Sequence, residues 1–148
     1  MRPRGFTPSE LLTVLVVLIV LGAVTVAMWR SHALRVRRAD AIQALLALQS
    51  AQDRYFGEHA QYASQTQLGT KPPAGLGISR KSRLGFYEIK LRNSEDNLGY
   101  WATARVMARA DQSPDTRCVE MRIDQNGRRF AAGSQGEDRS ADCWHARD

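Results

Sequence analysis

The longest run of like polarity in the chain extends from Leu11 to Trp29, LLTVLVVLIVLGAVTVAMW, with no charged residue and only Thr13, Thr25 and Gly22 as interruptions. At 1.5 Å per residue a helix of this length spans roughly 28 Å, close to the ~30 Å of a bilayer's hydrocarbon core. Its valines and isoleucines would suit a strand, but an uninterrupted run of this length favours a helix. Trp29 ends it with a residue suited to a membrane interface. The other reading is a buried core helix, yet a chain of 148 residues has little left with which to surround one.

Beyond Trp29 the polarity changes while a helical period continues. Leu34, Ala41, Leu45, Leu48 and Tyr55 fall on one stripe, widened by Ile42, Leu46 and Phe56, with Arg38, Asp40 and Asp53 off its centre. The pattern predicts one helix from Phe6 to about Phe56, with Gly57 as its stop. Its first half is apolar all round, and its second half offers one face for a sheet to cover. Residues 65–83 hold Gly69, Pro72, Pro73, Gly75 and Gly77, the composition of a connecting loop.

Strict alternation then takes over. Tyr87, Ile89 and Leu91 share one side of the run that starts at Phe86; Tyr100, Ala102, Ala104, Val106 and Ala108 share one side of the next. Residues that small suit a strand lying against a helix. Val119, Met121 and Ile123 supply a third inward face, and Gln125-Asn126-Gly127 is a hairpin signal leading to a short strand around Phe130. Four short antiparallel strands are therefore expected, followed by a polar tail tied back through Cys143.

Cysteine usage bears on compartment. Cys118 and Cys143 are the only two, reading as one disulfide in an exported domain and as two unrelated thiols in a cytosolic one. The net charge of +6 permits acidic partners without selecting one. Arginine placement bears on orientation: Arg30, Arg35, Arg37 and Arg38 follow the apolar run, against Arg2 and Arg4 before it. A count of positive charges alone would leave the C-terminal domain in the cytoplasm. That is the pattern of a bitopic membrane regulatory protein, a reading opposed by the cysteine pair and by the leader.

An ordinary secretory signal is cut after its apolar region, whereas the processing signal here, Gly5-Phe6, precedes it. Residues 5–11 read Gly-Phe-Thr-Pro-Ser-Glu-Leu, and this junction resembles that of the type IV pilin family: glycine, an aromatic residue, Thr or Ser, two variable residues, glutamate, then an apolar helix. Pro8 replaces the usual leucine, which costs little in a first helical turn. The resemblance implies that a prepilin peptidase cuts between Gly5 and Phe6 and N-methylates the new terminus at Phe6. It also implies that Glu10 pairs with the terminal amine of a neighbouring subunit during assembly. Thr7-Pro8-Ser9-Glu10 fits a capping box as well, and the two roles are compatible.

Further segments narrow the resemblance to PilE-type minor pilins: Arg37-Arg38-Ala39-Asp40-Ala41, Gln52-Asp53-Arg54-Tyr55-Phe56, Asp115-x-x-Cys118, and terminal Cys143-Trp144. Taken on its own, the Arg35–Arg38 stretch reads as a solvated helix face beside lipid headgroups. The resemblance implies an α+β pilin fold: a long N-terminal helix packed on a four-stranded antiparallel sheet, with a disulfide-closed C-terminal region. The expected division is a leader at 1–5, a membrane-spanning and filament-core helix at 6–29, its amphipathic continuation at 30–57, a loop at 58–84 and a sheet domain at 85–148. The implied partners are other pilin subunits, the prepilin peptidase and the inner-membrane pilus assembly machinery. The implied location is the inner membrane, single-pass with a periplasmic C-terminal domain, and then an extracellular pilus. A pseudopilin of a type II secretion system is the neighbouring alternative.

Other chemistry is sparse. His32, His59 and His145 have no metal-ligand spacing, and Cys118, Cys143 and His145 would give zinc three ligands without a fourth. No nucleophile elbow or phosphate loop is present, so no catalytic role and no cofactor are expected. Arg80, Lys81, Arg83, Arg128 and Arg129 could form a basic surface for DNA, with Tyr100, Trp101 or Trp144 for stacking. The plainer reading of those five is ordinary solvated side chains.

Overall fold

The computed structural model describes residues 8–108 and 115–144, except for the side chains at positions 26, 27 and 30. The chain divides into two compact units, Met1–Leu34 and Arg35–Asp148. Helix α1 (Pro8–His59) supplies all that is described of the first unit and the opening of the second.

In the first unit, Pro8–Thr25 has a mean hydropathy of 2.1, and none of it is buried. Large apolar residues such as Leu11, Ile19 and Leu21 stand about 60–70% exposed. Such a surface is stable only against lipid or against other helices.

The second unit carries its own core. Leu34 is only half-buried, whereas from α1 come Ala41, Leu45, Leu48 and Tyr55, all buried as the stripe predicts, and Ala51 in addition. They pack against an antiparallel sheet of β1 (Tyr87–Asn93), β2 (Tyr100–Val106), β3 (Glu120–Asp124) and β4 (Arg129–Ala132), arranged in chain order. Register places Ala104 between Ile89 and Met121, and Ala102 between Leu91 and Ile123. The two alanines are fully buried, so the sheet is thinnest where the helix lies. Val106 is only half-buried and Ala108 is exposed, which ends the inward phase sooner than alternation predicts.

The helix also ends differently. It passes through Gly57, where an added Cβ would meet nothing, and stops at His59. The left-handed residue that follows is Ala60, with φ 55° and an N–H donated to the Phe56 carbonyl at 2.8 Å. Just beyond, the buried Gln52 amide donates to the Ala63 carbonyl and accepts from its N–H, both at 2.9 Å. This pins the chain as it leaves the helix and satisfies a peptide that would otherwise be orphaned. Gly75 closes the loop: a Cβ there would collide with the Gln67 carbonyl and with Thr70.

The tail is structured too. A short helix α2 (Ser140–Trp144) returns to β4, and Cys143 is joined to Cys118 in a disulfide with both sulfurs buried. The Trp144 indole donates to the Phe130 carbonyl at 2.8 Å. Both cysteines are consumed by this bond, so the three-ligand zinc reading fails.

Candidate functional site

Two features of the chain can carry function: the apolar half of α1 and the outer face of the sheet. Of the residues tied to processing, Gly5 and Phe6 lie outside the described residues, as does Thr7. Glu10 lies in the first turn of α1, immediately before the apolar run that begins at Leu11. A carboxylate there suits the positive end of the helix dipole.

Of the stretch Arg35–Arg38, expected to be a solvated face, Arg35 and Val36 are exposed but Arg37 and Arg38 are drawn into the fold. Arg38 Nε donates to Asp115 Oδ2 at 2.6 Å and Nη2 to Oδ1 at 3.1 Å, with the Asp115 side chain 2% exposed. Burial alone would raise the Asp115 carboxyl. The Arg38 hydrogen bonds and its positive charge outweigh that, and the N–H groups of Arg117 and Cys118 add to them, holding the carboxyl below the ordinary range. The hydrogen bond to Asp115 raises Arg38 in turn. Asp115 thereby links α1 to the loop that holds the disulfide. Arg37 lies 5.0 Å over the Phe86 ring. Asp40 is buried as well, accepting the Leu84 N–H at 3.1 Å, because the chain before β1 crosses this part of the helix.

On the sheet's outer face the strands alternate as their inner faces require. β1 presents Glu88, Lys90 and Arg92; β2 presents Trp101, Thr103 and Arg105; β3 presents Glu120 and Arg122; β4 presents Phe130. These residues, with Arg80 from the segment beside β1, line two shallow grooves of about 670 and 540 Å³ that share Trp101, Glu120 and Arg122. Lys90 pairs with Glu88 at 3.1 Å, and Arg122 pairs with Glu120. Among the described residues Arg80, Arg92 and Arg105 have no ion pair, which leaves the first groove positive. Trp101 and Phe130 are 40% and 44% exposed, their rings in edge-to-face contact at 5.3 Å.

The basic residues singled out from the sequence are not brought together. Arg80 lines the groove, whereas Lys81 sits opposite Glu88 in an isolated bridge beside β1 and Arg83 follows it. Arg128 and Arg129 belong to the β3–β4 hairpin at the far edge, where Arg129 lies 5.3 Å over the Trp144 ring. Two of the three stacking candidates are ruled out: Tyr100 is 1% exposed and Trp144 6%. Trp101 alone is available. The sequence reading missed Arg92, Arg105, Arg122 and Phe130; the signal was the outward phase of the same alternation that located the core.

A family model described as "Type IV minor pilin ComP, DNA uptake sequence receptor" matches residues 27–122. No curated protein matches the chain. Among solved structures, a type IV pilin from Shewanella oneidensis is similar at 21% identity and a TM-score of 0.45, covering 64% of this chain and 88% of that one. The family match runs from the end of the apolar run into β3 and takes in well over half of the chain. The chain therefore belongs to the ComP family of type IV minor pilins.

Proposed function

We propose that this minor pilin is made as a membrane-anchored precursor, cut between Gly5 and Phe6, N-methylated at Phe6 and drawn into a pilus, with residues 35–148 outside the cytoplasm. The observation that carries this reading is the exposed apolar surface of Pro8–Thr25, coupled to a unit that already has a complete core of its own. A surface of that kind exchanges lipid contacts for contacts with other subunits' helices. Glu10, by pairing with the Phe6 amine of a neighbour, sets the register of that exchange. The prepilin peptidase and the inner-membrane assembly machinery are the partners this route requires. The disulfide supports an oxidising compartment. Arg37 and Arg38 have roles within the fold, so the arginine count after the apolar run does not need a topological explanation.

Mass spectrometry of the mature protein tests this reading. The expected result is an N-terminus at N-methylated Phe6 together with a Cys118–Cys143 bond. An intact Met1 terminus with free thiols would overturn it.

A specific observation favours a second role within the pilus, that of DNA receptor. Arg80, Arg92 and Arg105 present unpaired positive charge on one open groove, and the matching family model is described as a DNA uptake sequence receptor. The full chain in nonionic detergent should bind DNA with an affinity that falls as salt rises. Absence of binding at low salt would exclude the role.

A further inference from the structure

The outer face of the sheet carries more than charge, and the division of its two grooves bears on the form of DNA it accepts. This inference rests on the DNA-receptor reading. Positive charge lies on the β1–β2 side, at Arg80, Arg92 and Arg105. On the β3–β4 side the second groove is lined by Phe130 and Asp138, together with the paired Glu120 and Arg122, which border the first groove as well. Phosphates are drawn to the first side, whereas the second offers no surplus positive charge, since Arg122 is paired with Glu120. Trp101 lines both grooves and stands directly opposite Arg92 in the register of β1 and β2. A strand whose phosphates follow the arginines therefore directs its bases toward Trp101 and Phe130.

An intact duplex cannot use those rings. Four strands about 4.8 Å apart make a ladder wider than the ~12 Å major groove, so the sheet face cannot enter it. Trp101 lies on an inner strand. The β4 edge that carries Phe130 is flanked by the returning chain, where Ala132 bridges Asp138, and Ala131 donates to Ser140 Oγ at 2.9 Å. A duplex resting on this face meets the arginines and leaves the aromatic pair unused. An unpaired strand can lay its bases on the pair, and base–aromatic stacking tolerates any sequence.

We infer that the sheet face is a platform for single-stranded DNA, with Trp101 as the stacking residue, Phe130 bracing it and Arg92 and Arg105 holding phosphates on one side. The test compares a fluorescein-labelled oligodeoxythymidine of about 12 nucleotides with a hairpin duplex of equal length, at one salt concentration and with the full chain in nonionic detergent. The expected result is about tenfold tighter binding of the single strand; Trp101→Ala removes that advantage while hairpin binding is unchanged, and Trp101→Phe keeps most of it. Hairpin binding as tight as single-strand binding, with Trp101→Ala leaving both unchanged, would overturn the inference and leave the DNA-receptor reading standing. Equal losses on both probes would mark Trp101 as structural and also overturn it. Failure of both probes to bind at low salt would remove the two readings together.

Discussion

Arg38 and Asp115, 77 residues apart in sequence, form a two-point ion pair at 2.6 and 3.1 Å that joins the helix to the segment opening the disulfide loop. The same carboxylate accepts the N–H groups of Arg117 and Cys118, so one side chain orders both the loop and its attachment. Replacing Arg38 with Ala leaves that carboxylate buried without its counter-charge. The expected loss is about 3–5 kcal/mol of unfolding free energy for residues 35–148, measured by denaturant titration of the full chain in nonionic detergent. A loss below about 1 kcal/mol would mean that the pair is as dispensable as an exposed one.

Acid should act through the same pair. The folded Asp115 carboxyl titrates below its ordinary 3.8, so on acidification the unfolded chain takes up its proton first. The stability this group contributes is therefore present above about pH 4 and is lost as pH falls through the lower folded value. Asp115→Asn should be less stable than the parent at pH 6 and should lose less between pH 4 and pH 2.5. Parallel pH profiles for the two proteins would count against the assignment.

Ala60 occupies a left-handed conformation at the end of α1 that favours glycine. Ala60→Gly relieves that strain at the cost of a more flexible unfolded chain. A net gain of about 0.5–1 kcal/mol is expected from the denaturation midpoint. A destabilised variant would show that contacts of the Ala60 methyl outweigh the backbone term.

On the proposed route, a change at Glu10 should separate processing from assembly. Glu10→Ala should leave cleavage after Gly5 intact, as judged by the mass of the mature chain, while sharply reducing the share recovered in sheared filaments. Normal recovery would leave only a role in capping the helix.

If the sheet face is the proposed DNA receptor, salt dependence reports how many phosphates it neutralises. With Arg80, Arg92 and Arg105 engaged, the logarithm of duplex affinity should fall against the logarithm of salt with a slope of about −3. Arg92→Ala and Arg105→Ala should each make the slope shallower by about one. Arg128→Ala, at the far hairpin, should leave it unchanged. An equal effect at Arg128 would mean that DNA lies elsewhere.

Much of the fold was legible in the residues because burial writes a local period into them. The helical stripe of Ala41, Leu45, Leu48 and Tyr55 and the alternation of Tyr87, Ile89 and Leu91 both became core. Asn126-Gly127 marked the β3–β4 hairpin, where Gly127 takes φ 75°. The site was less legible. Arg128-Arg129 and the run from Arg80 to Arg83 stand out as clusters in the sequence, yet they lie on opposite edges of the sheet. Arg92 is solitary in sequence and comes to face Trp101 through the pairing of β1 with β2, and Arg105 joins the same face through the outward phase of β2. Trp144 was a candidate for stacking, but α2 folds it back onto β4.

By itself the sequence determined the membrane-compatible run, the two periodicities and the number of strands, since each depends only on the spacing of apolar residues along the chain. Tertiary structure decided that Arg38 meets Asp115, that Gln52 holds Ala63 and that Arg80, Arg92 and Arg105 share one face. Those pairings depend on strand order, register and the path of loops. These are set by the packing of the whole domain, so no local pattern encodes them.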